Sequence, residues 1–302
     1  MPAKALPPSR DRLQSRLLVW IVAPLIALAC AWTIYFTYGW EGPPLKALAL
    51  GAVFALAAWF LRAATPAAAL SGGMICLILT LWTGSNVGSP LRSALSPLLT
   101  LFILTFLATR TGRKQKSELG LGENRGGRSA SQVIANLGVA ALLSNIIGCD
   151  MIAWAAQHPG ISDIDSLYVM RVVIVAALAE ATADTVSSEI GQAFGGAPFM
   201  LTTLRRVPPG TDGAISLKGT LAGIAAAAII AATGAPALGM SPAACFVAFA
   251  AGVTGLFFDS LLGATVERRG YINNDLVNFT STAFAAATAL LAIRFCGNHL
   301  FR

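Results

Sequence analysis

Nine apolar runs follow one another along this chain, at 17–38, 45–61, 67–83, 94–109, 132–149, 168–186, 219–236, 241–263 and 276–296. Each is close to the length of about 20 residues that an α-helix needs to cross bilayer hydrocarbon. Within hydrocarbon every backbone N–H and C=O must bond inside the chain, so runs of this kind fold as helices. Composition agrees: 56% of residues are hydrophobic and 12% are charged, where a soluble domain carries about 25% charged residues. The fold class is therefore all-α, a polytopic membrane helix bundle of about nine transmembrane helices.

The charges between the runs set an orientation. With the N-terminus cytoplasmic, the inner segments hold Lys4, Arg10, Arg12, Arg16, Arg62, Arg110, Arg113, Lys114, Lys116, Arg125, Arg128, Arg205, Arg206, Lys218, Arg268 and Arg269, and the outer side keeps Lys46, Arg92, Arg171, Arg294 and Arg302. That asymmetry is a positive-inside pattern. It accounts for the net charge of +7 without nucleic acid. Both histidines, His158 and His299, fall outside. Residues 1–16, polar and with three prolines, read as a disordered cytoplasmic tail, and 17–302 as a single integral membrane domain. Within it, 17–109 are apolar helices that serve as a lipid-facing wall, and 125–296 carry the motifs. The five cysteines are scattered with no CxxC or Cys/His spacing, which argues against zinc or a disulfide framework.

Charged residues inside a membrane run are expensive and mark functional positions. The run from Tyr168 ends in Glu180-Ala-Thr-Ala-Asp184-Thr-Val-Ser-Ser-Glu189. Glu180, Asp184 and Ser188 are four apart and share a helix face. Glu189 is expected on another face, joining the others only if the helix ends or unwinds near Ser187-Ser188; otherwise it simply marks the water boundary.

Further polar clusters lie on the same side. Before the fifth run, Ser129 or Ser131 can cap a helix whose N-terminus favours an anion, beside Arg128; Gln132 and Asn136 follow on one face. The stretch Leu204–Thr220 combines Pro-Gly and Asp-Gly turns with Arg205, Arg206 and Lys218. It reads either as an anion cradle or as a solvated loop with flanking cations. Asp259 sits on a stripe with Gly252 and Gly263, small residues that let helices approach closely, and needs a cation or a donor there. Asn274 and Asn278 share a face, and Asp275 is either a favourable first-turn residue or part of an oxygen-rich site for Mg²⁺. There is no P-loop: the glycines near Gly120 lack the GKS/T ending and a preceding strand.

Taken together, Gly127-Arg128-Ser-Ala-Ser-Gln132-Val-Ile-Ala-Asn136, Ala181-Thr-Ala-Asp184-Thr-Val-Ser187-Ser188-Glu189-Ile-Gly191, Pro209-Gly210-Thr-Asp-Gly213-Ala-Ile-Ser216-Leu-Lys-Gly219-Thr220, Asp259-Ser-Leu-Leu-Gly263-Ala-Thr265 and Asn274-Asp275-Leu-Val-Asn278 resemble the transmembrane protein 19 family, also known as domain of unknown function 92. The resemblance runs from about Ala67 to the C-terminus. Leu137 and Asp212 depart from it, standing where a glycine and an asparagine are common. The family includes a plant phytyl-phosphate kinase. The resemblance thus implies an inner-membrane kinase-like enzyme that transfers a phosphoryl group from CTP or ATP, with Mg²⁺, to an isoprenoid phosphate at the cytoplasmic face. On that reading Asp184, Glu189, Asp259 and Asp275 are the metal candidates. Arg128, Gln132, Asn136, Arg205, Arg206, Lys218, Asn274 and Asn278 are the phosphate-binding candidates, and Asp184 or Glu180 would be the base if the acceptor were an alcohol. Phosphoryl transfer needs positioning, metal and positive charge more than a strong base. The alternative is a transporter or channel using the carboxylates as a cation or proton path.

Overall fold

The computed structural model describes residues 6–38, 44–83, 89–121, 126–157 and 164–296. His158, His299 and the side chains of 148–166, on which part of the orientation rests, lie outside the described residues. The architecture is all-α. The helices are α1 (Pro8–Tyr38), α2 (Leu45–Phe60), α3 (Pro66–Thr83), α4 (Leu95–Arg110), the short α5 (Arg113–Glu118), α6 (Ala130–Gln157), α7 (Ile164–Phe194), α8 (Leu217–Leu238), α9 (Pro242–Leu262) and α10 (Asn274–Cys296). A two-stranded antiparallel hairpin, β1 (Phe199–Met200) with β2 (Ala214–Ile215), lies between α7 and α8.

Each of the nine apolar runs falls on a helix. Six helical stretches are long and apolar enough to cross a membrane by length and composition: Pro8–Trp32, Pro66–Thr83, Ala130–Ile147, Leu217–Leu238, Pro242–Glu267 and Asn274–Phe295. Helices α2 and α4 are apolar but shorter, at 16 residues each. Helix α7 is long enough but carries Arg171, Glu180, Asp184 and Glu189.

Helix α7 is the axis of the bundle. From Val172 to Ala179 no side chain is more than 2% exposed. A helix apolar on every side is one enclosed on every side, and α4, α6, α8, α9 and α10 surround this one. Its neighbours come close because their contact faces are small: a Cβ on Gly223 would lie 2.7 Å from the Ala183 carbonyl oxygen, and one on Gly252 2.8 Å from Ala179 Cβ.

Two expectations are corrected. Residues 8–16 are not a disordered tail, because α1 begins at Pro8. Its first turns dock on the start of α10, where Asn273 Nδ2 donates to Asp11 Oδ1 at 2.9 Å and Ser15 Oγ donates to Asp275 Oδ2 at 2.6 Å. These bonds give the polar segment the partners that its composition alone does not reveal. Glu189 is expected to join the other polar groups only if α7 ends or unwinds near Ser188, yet it lines the same cavity as Asp184 while the helix continues. Helix α7 runs on to Phe194, with Gly191 and Gly195 packed against Ser216 at the start of α8.

Candidate functional site

At the end of the bundle that carries most of the basic segments, a cavity of about 360 Å³ opens between α6, α7, α9 and α10. Asp184 of α7 and Asp259 of α9 line it and interact with each other; Asp184 also interacts with Ser188 and Arg128. Ser281 of α10 donates to Asp259 Oδ2 at 3.1 Å, which aims that carboxylate. One turn deeper, Glu180 is 1% exposed and does not line the cavity. Its Cγ lies against Gly255, where an added Cβ would approach to 2.5 Å, and its Oε1 has no hydrogen-bond partner.

The opposite wall is the start of α6. Ser129 and Gln132 form a reciprocal cap: Gln132 N donates to Ser129 Oγ at 3.3 Å, and Ser129 N donates to Gln132 Oε1 at 2.8 Å. Arg128 just before it is fixed through its backbone, with Arg128 N donating to Ala63 O and Thr65 N to Arg128 O, both at 3.0 Å. That pairing needs Gly127. Its φ is +76°, and a Cβ there would lie 2.6 Å from the Ala63 carbonyl carbon.

The roof is the loop of the hairpin, where residues from Pro209 to Ser216 contribute lining. It rests on a single π-turn, Gly263–Glu267, that follows α9. Gly213, at φ +70°, sits so close to this turn that a Cβ would lie 2.0 Å from Ala264 N. The π-turn brings Glu267 to the cavity, and the loop brings Asp212. Asp212 is exposed by area, yet its carboxylate faces this half-closed space. Partial loss of water raises its pKa above the ordinary value, and the Arg268 guanidinium opposes the shift.

Many of the residues singled out in the sequence meet here: Arg128, Gln132, Asn136, Asp184, Glu189, Asp259, Asn274 and Asn278 all line the cavity. Others do not. Arg205, Arg206 and Lys218 are exposed and turned away, with the Arg206 guanidinium 5.6 Å from the centre of the Phe199 ring. The loop presents backbone to the cavity and its cations to the surroundings. Asp275 faces α1 and not the cavity, held by Ser15. Glu189 reaches the cavity although α7 stays helical, because the cavity wraps around the end of that helix; its carboxylate is held by Lys116 Nζ and by Thr109 Oγ1 at 3.1 Å. Glu180 packs beneath the floor, so it is not placed to act as a base on a bound substrate. Among the described residues, no three His, Cys, Asp or Glu side chains converge on one ion position. Mg²⁺ characteristically takes one or two carboxylates and completes its shell with substrate phosphates and water, a donor set that the Asp184–Asp259 pair fits.

The family pattern described as "Integral membrane protein DUF92" matches residues 49–286. The chain belongs to this family. Among its DUF92 relatives are "Protein VTE6, chloroplastic" of Arabidopsis thaliana, 30% identical over 197 residues, which are 64% of this chain and 56% of that protein. An uncharacterized membrane protein of Methanocaldococcus jannaschii is 34% identical over 195 residues, 64% of this chain and 74% of that one. A third, an uncharacterized membrane protein of Synechocystis, is 31% identical over 195 residues, 64% of this chain and 71% of that one. The match thus spans little more than half the length of the plant protein. No solved structure matches this chain.

The chain also has site residues that sequence reasoning missed. Glu267 reads in sequence as one more charge beside Arg268 and Arg269; only the π-turn brings it to the cavity. Lys116 reads as a loop cation, yet it is 3% exposed. Ser281 sits within an apolar run, and its spacing from Asn274 and Asn278, seven and three residues, was the available signal. The first helices are also more than a wall, since Thr109 and the Ala63–Thr65 turn hold parts of the site.

Proposed function

We propose that this protein is a membrane phosphotransferase that moves the terminal phosphoryl group of a nucleoside triphosphate, with Mg²⁺, onto an isoprenoid phosphate. The observation that carries this reading is the opposition of two charge types across one cavity. Asp184 and Asp259 form one side; Arg128 and the N-terminus of α6 form the other. Among the described residues, five carboxylates (Asp184, Glu189, Asp212, Asp259, Glu267) and one cation, Arg128, line this space. So acidic a cavity repels a bare polyphosphate and admits one that arrives with a divalent cation.

Asp184 and Asp259 would hold Mg²⁺, which neutralises charge on the transferring group. Arg128 donates a fork of hydrogen bonds to phosphate oxygens, and the helix end adds N–H donors and a favourable dipole. An oxygen of the acceptor phosphate attacks the terminal phosphorus, a new P–O–P bond forms, and the bond to the β-phosphate breaks to release the nucleoside diphosphate. The acceptor is already an anion, so no side chain has to remove a proton from it. This fits a cavity with no histidine among its described lining residues.

The test is direct. Purified protein is incubated with labelled CTP or ATP, Mg²⁺, and phytyl, geranylgeranyl or farnesyl phosphate. Label should appear in the prenyl diphosphate; absence of transfer to every acceptor by folded protein rejects the reading.

A further inference from the structure

A second cavity lies beside the first. It is a partly open groove between α2, α3, α4 and α6, with an enclosed volume of about 80 Å³. Its character changes along its length. Leu98, Leu101, Phe54 and Gly72 form one end, whereas Arg62, Arg110, Arg113 and Arg128 gather at the other. An aromatic wall joins the two: Phe54 and Phe102 meet edge to face at 5.3 Å, Phe102 stacks on Phe106 at 5.9 Å, and the Arg110 guanidinium lies 4.0 Å over the Phe106 ring. From Leu98 to Thr109 the wall follows twelve residues of α4, eleven rises of 1.5 Å, or about 16 Å. That is about half of the roughly 30 Å hydrocarbon thickness of a bilayer.

The two cavities share two residues, Arg128 and Asn136. Asn136 is 6% exposed, and its Oδ1 has no hydrogen-bond partner, although its Nδ2 donates to Gln132 O at 2.8 Å. A buried amide oxygen without a donor is a costly arrangement, and here it stands where the apolar slot meets the polar cavity. Apolar walls, a cationic end and an unanswered acceptor at the junction match the chemistry of a hydrocarbon chain ending in an anionic head, lying along the groove.

We infer that this slot is the hydrocarbon subsite of the phosphorylated acceptor, with the chain lying along Phe102 and Phe106, the phosphate at Arg128, and Phe54 and Gly72 setting how long a chain fits. The inference rests on the function proposed above and adds to it the place and the chain-length determinants of the acceptor. A Cβ on Gly72 would lie 3.3 Å from Phe54 Cε1, so these two residues close the deep end together. A larger residue at Gly72 shortens the slot, and a smaller one at Phe54 lengthens it.

Two experiments test it. In the first, purified full-length protein is photolabelled with a geranylgeranyl phosphate carrying a diazirine near the chain terminus. Adducts should map to 49–60 and 95–106 and should be competed by geranylgeranyl phosphate at least tenfold better than by geranylgeraniol. Adducts confined to other helices, or equal competition by the alcohol, overturn the subsite. This arm needs no catalysis, so it still decides the slot if the kinase assay fails. In the second, G72L and F54A are compared over prenyl phosphates of increasing length. G72L should lower kcat/KM for the longest acceptor at least tenfold relative to the shortest, F54A should shift preference the opposite way, and KM for the nucleotide should hold. Equal loss at every length in both variants overturns the assignment of the deep end.

Discussion

Lys116 Nζ is bonded to Glu189 Oε2, and both side chains are largely withdrawn from water, at 4% and 19% exposure. The pair ties the short helix α5 to the last turns of α7, at the rim of the polar cavity. Lys116 Nζ also donates to the Thr109 carbonyl at 2.8 Å, so the ammonium terminates the end of α4 as well. Removing one member of such a pair strands the other. Lys116→Met should destabilise the protein by about 3 kcal/mol, and Glu189→Gln by a similar amount. The double variant should lose less than the sum, a coupling measurable by thermal unfolding in detergent.

Asp184 and Asp259 act as a unit in the proposed site, so their substitutions should not add. Asp184→Asn and Asp259→Asn are each expected to lower kcat/KM by at least about a hundredfold, in line with the loss of a group that stabilises transition-state charge. The double variant should be little worse than either single one. A Mg²⁺ titration of activity provides a second check, because each single variant should need more metal for half-maximal rate.

The phosphate-binding role separates Arg128 from the three cations of the hairpin region. Arg128→Ala should raise KM for the phosphorylated substrates, and Arg128→Lys should restore only part of the loss, since a lysine lacks the two-pronged geometry. Substitution of Arg205, Arg206 and Lys218 together by alanine should leave KM within about a factor of two, because these exposed side chains do not line the cavity. Steady-state kinetics at fixed Mg²⁺ distinguishes the two sets.

Two glycines combine a left-handed backbone with no space for a Cβ. Gly127→Ala and Gly213→Ala each place a Cβ within 2.6 Å and 2.0 Å of neighbouring backbone, at φ values of +76° and +70°. Each should destabilise the protein by more than about 1 kcal/mol. The Gly213 substitution should also lower activity, because it moves the roof and the π-turn that positions Glu267. Unfolding temperature and kcat/KM, measured on the same preparation, check both effects.

Buried Glu180 offers a further contrast. It lies one turn below Asp184, closed off from the cavity by its packing against Gly255 and beside Ser281. Glu180→Gln keeps shape and removes ionisation, and is expected to retain fold and substrate KM. Glu180→Ala leaves a hole in the centre of the bundle and should cost about 2 kcal/mol or more, a range seen when large buried side chains are truncated to alanine. Circular dichroism melts of the two variants make the comparison.

The helices were legible in sequence because hydrocarbon leaves a chain little choice. Long apolar runs must close their own hydrogen bonds, and each of the nine predicted runs lies on a helix, although among the described residues six helical stretches, not nine, are long and apolar enough to cross a membrane. Several site residues were legible for the same reason: Asp184, Asp259, Asn136 and Asn278 stand out against apolar surroundings, where a polar group needs a partner. What sequence could not give was direction and company. Arg205, Arg206 and Lys218 look like Arg128 in the linear chain, but a backbone pairing made possible by Gly127 turns Arg128 toward the cavity, while the hairpin turns the others away. Asp275 and Asp259 both lie at the polar ends of apolar runs; α1 captures one, and the facing carboxylate of α7 meets the other. Side-chain charge is written locally, whereas the partner it finds depends on contacts from tens to hundreds of residues apart, and those exist only once the bundle has closed.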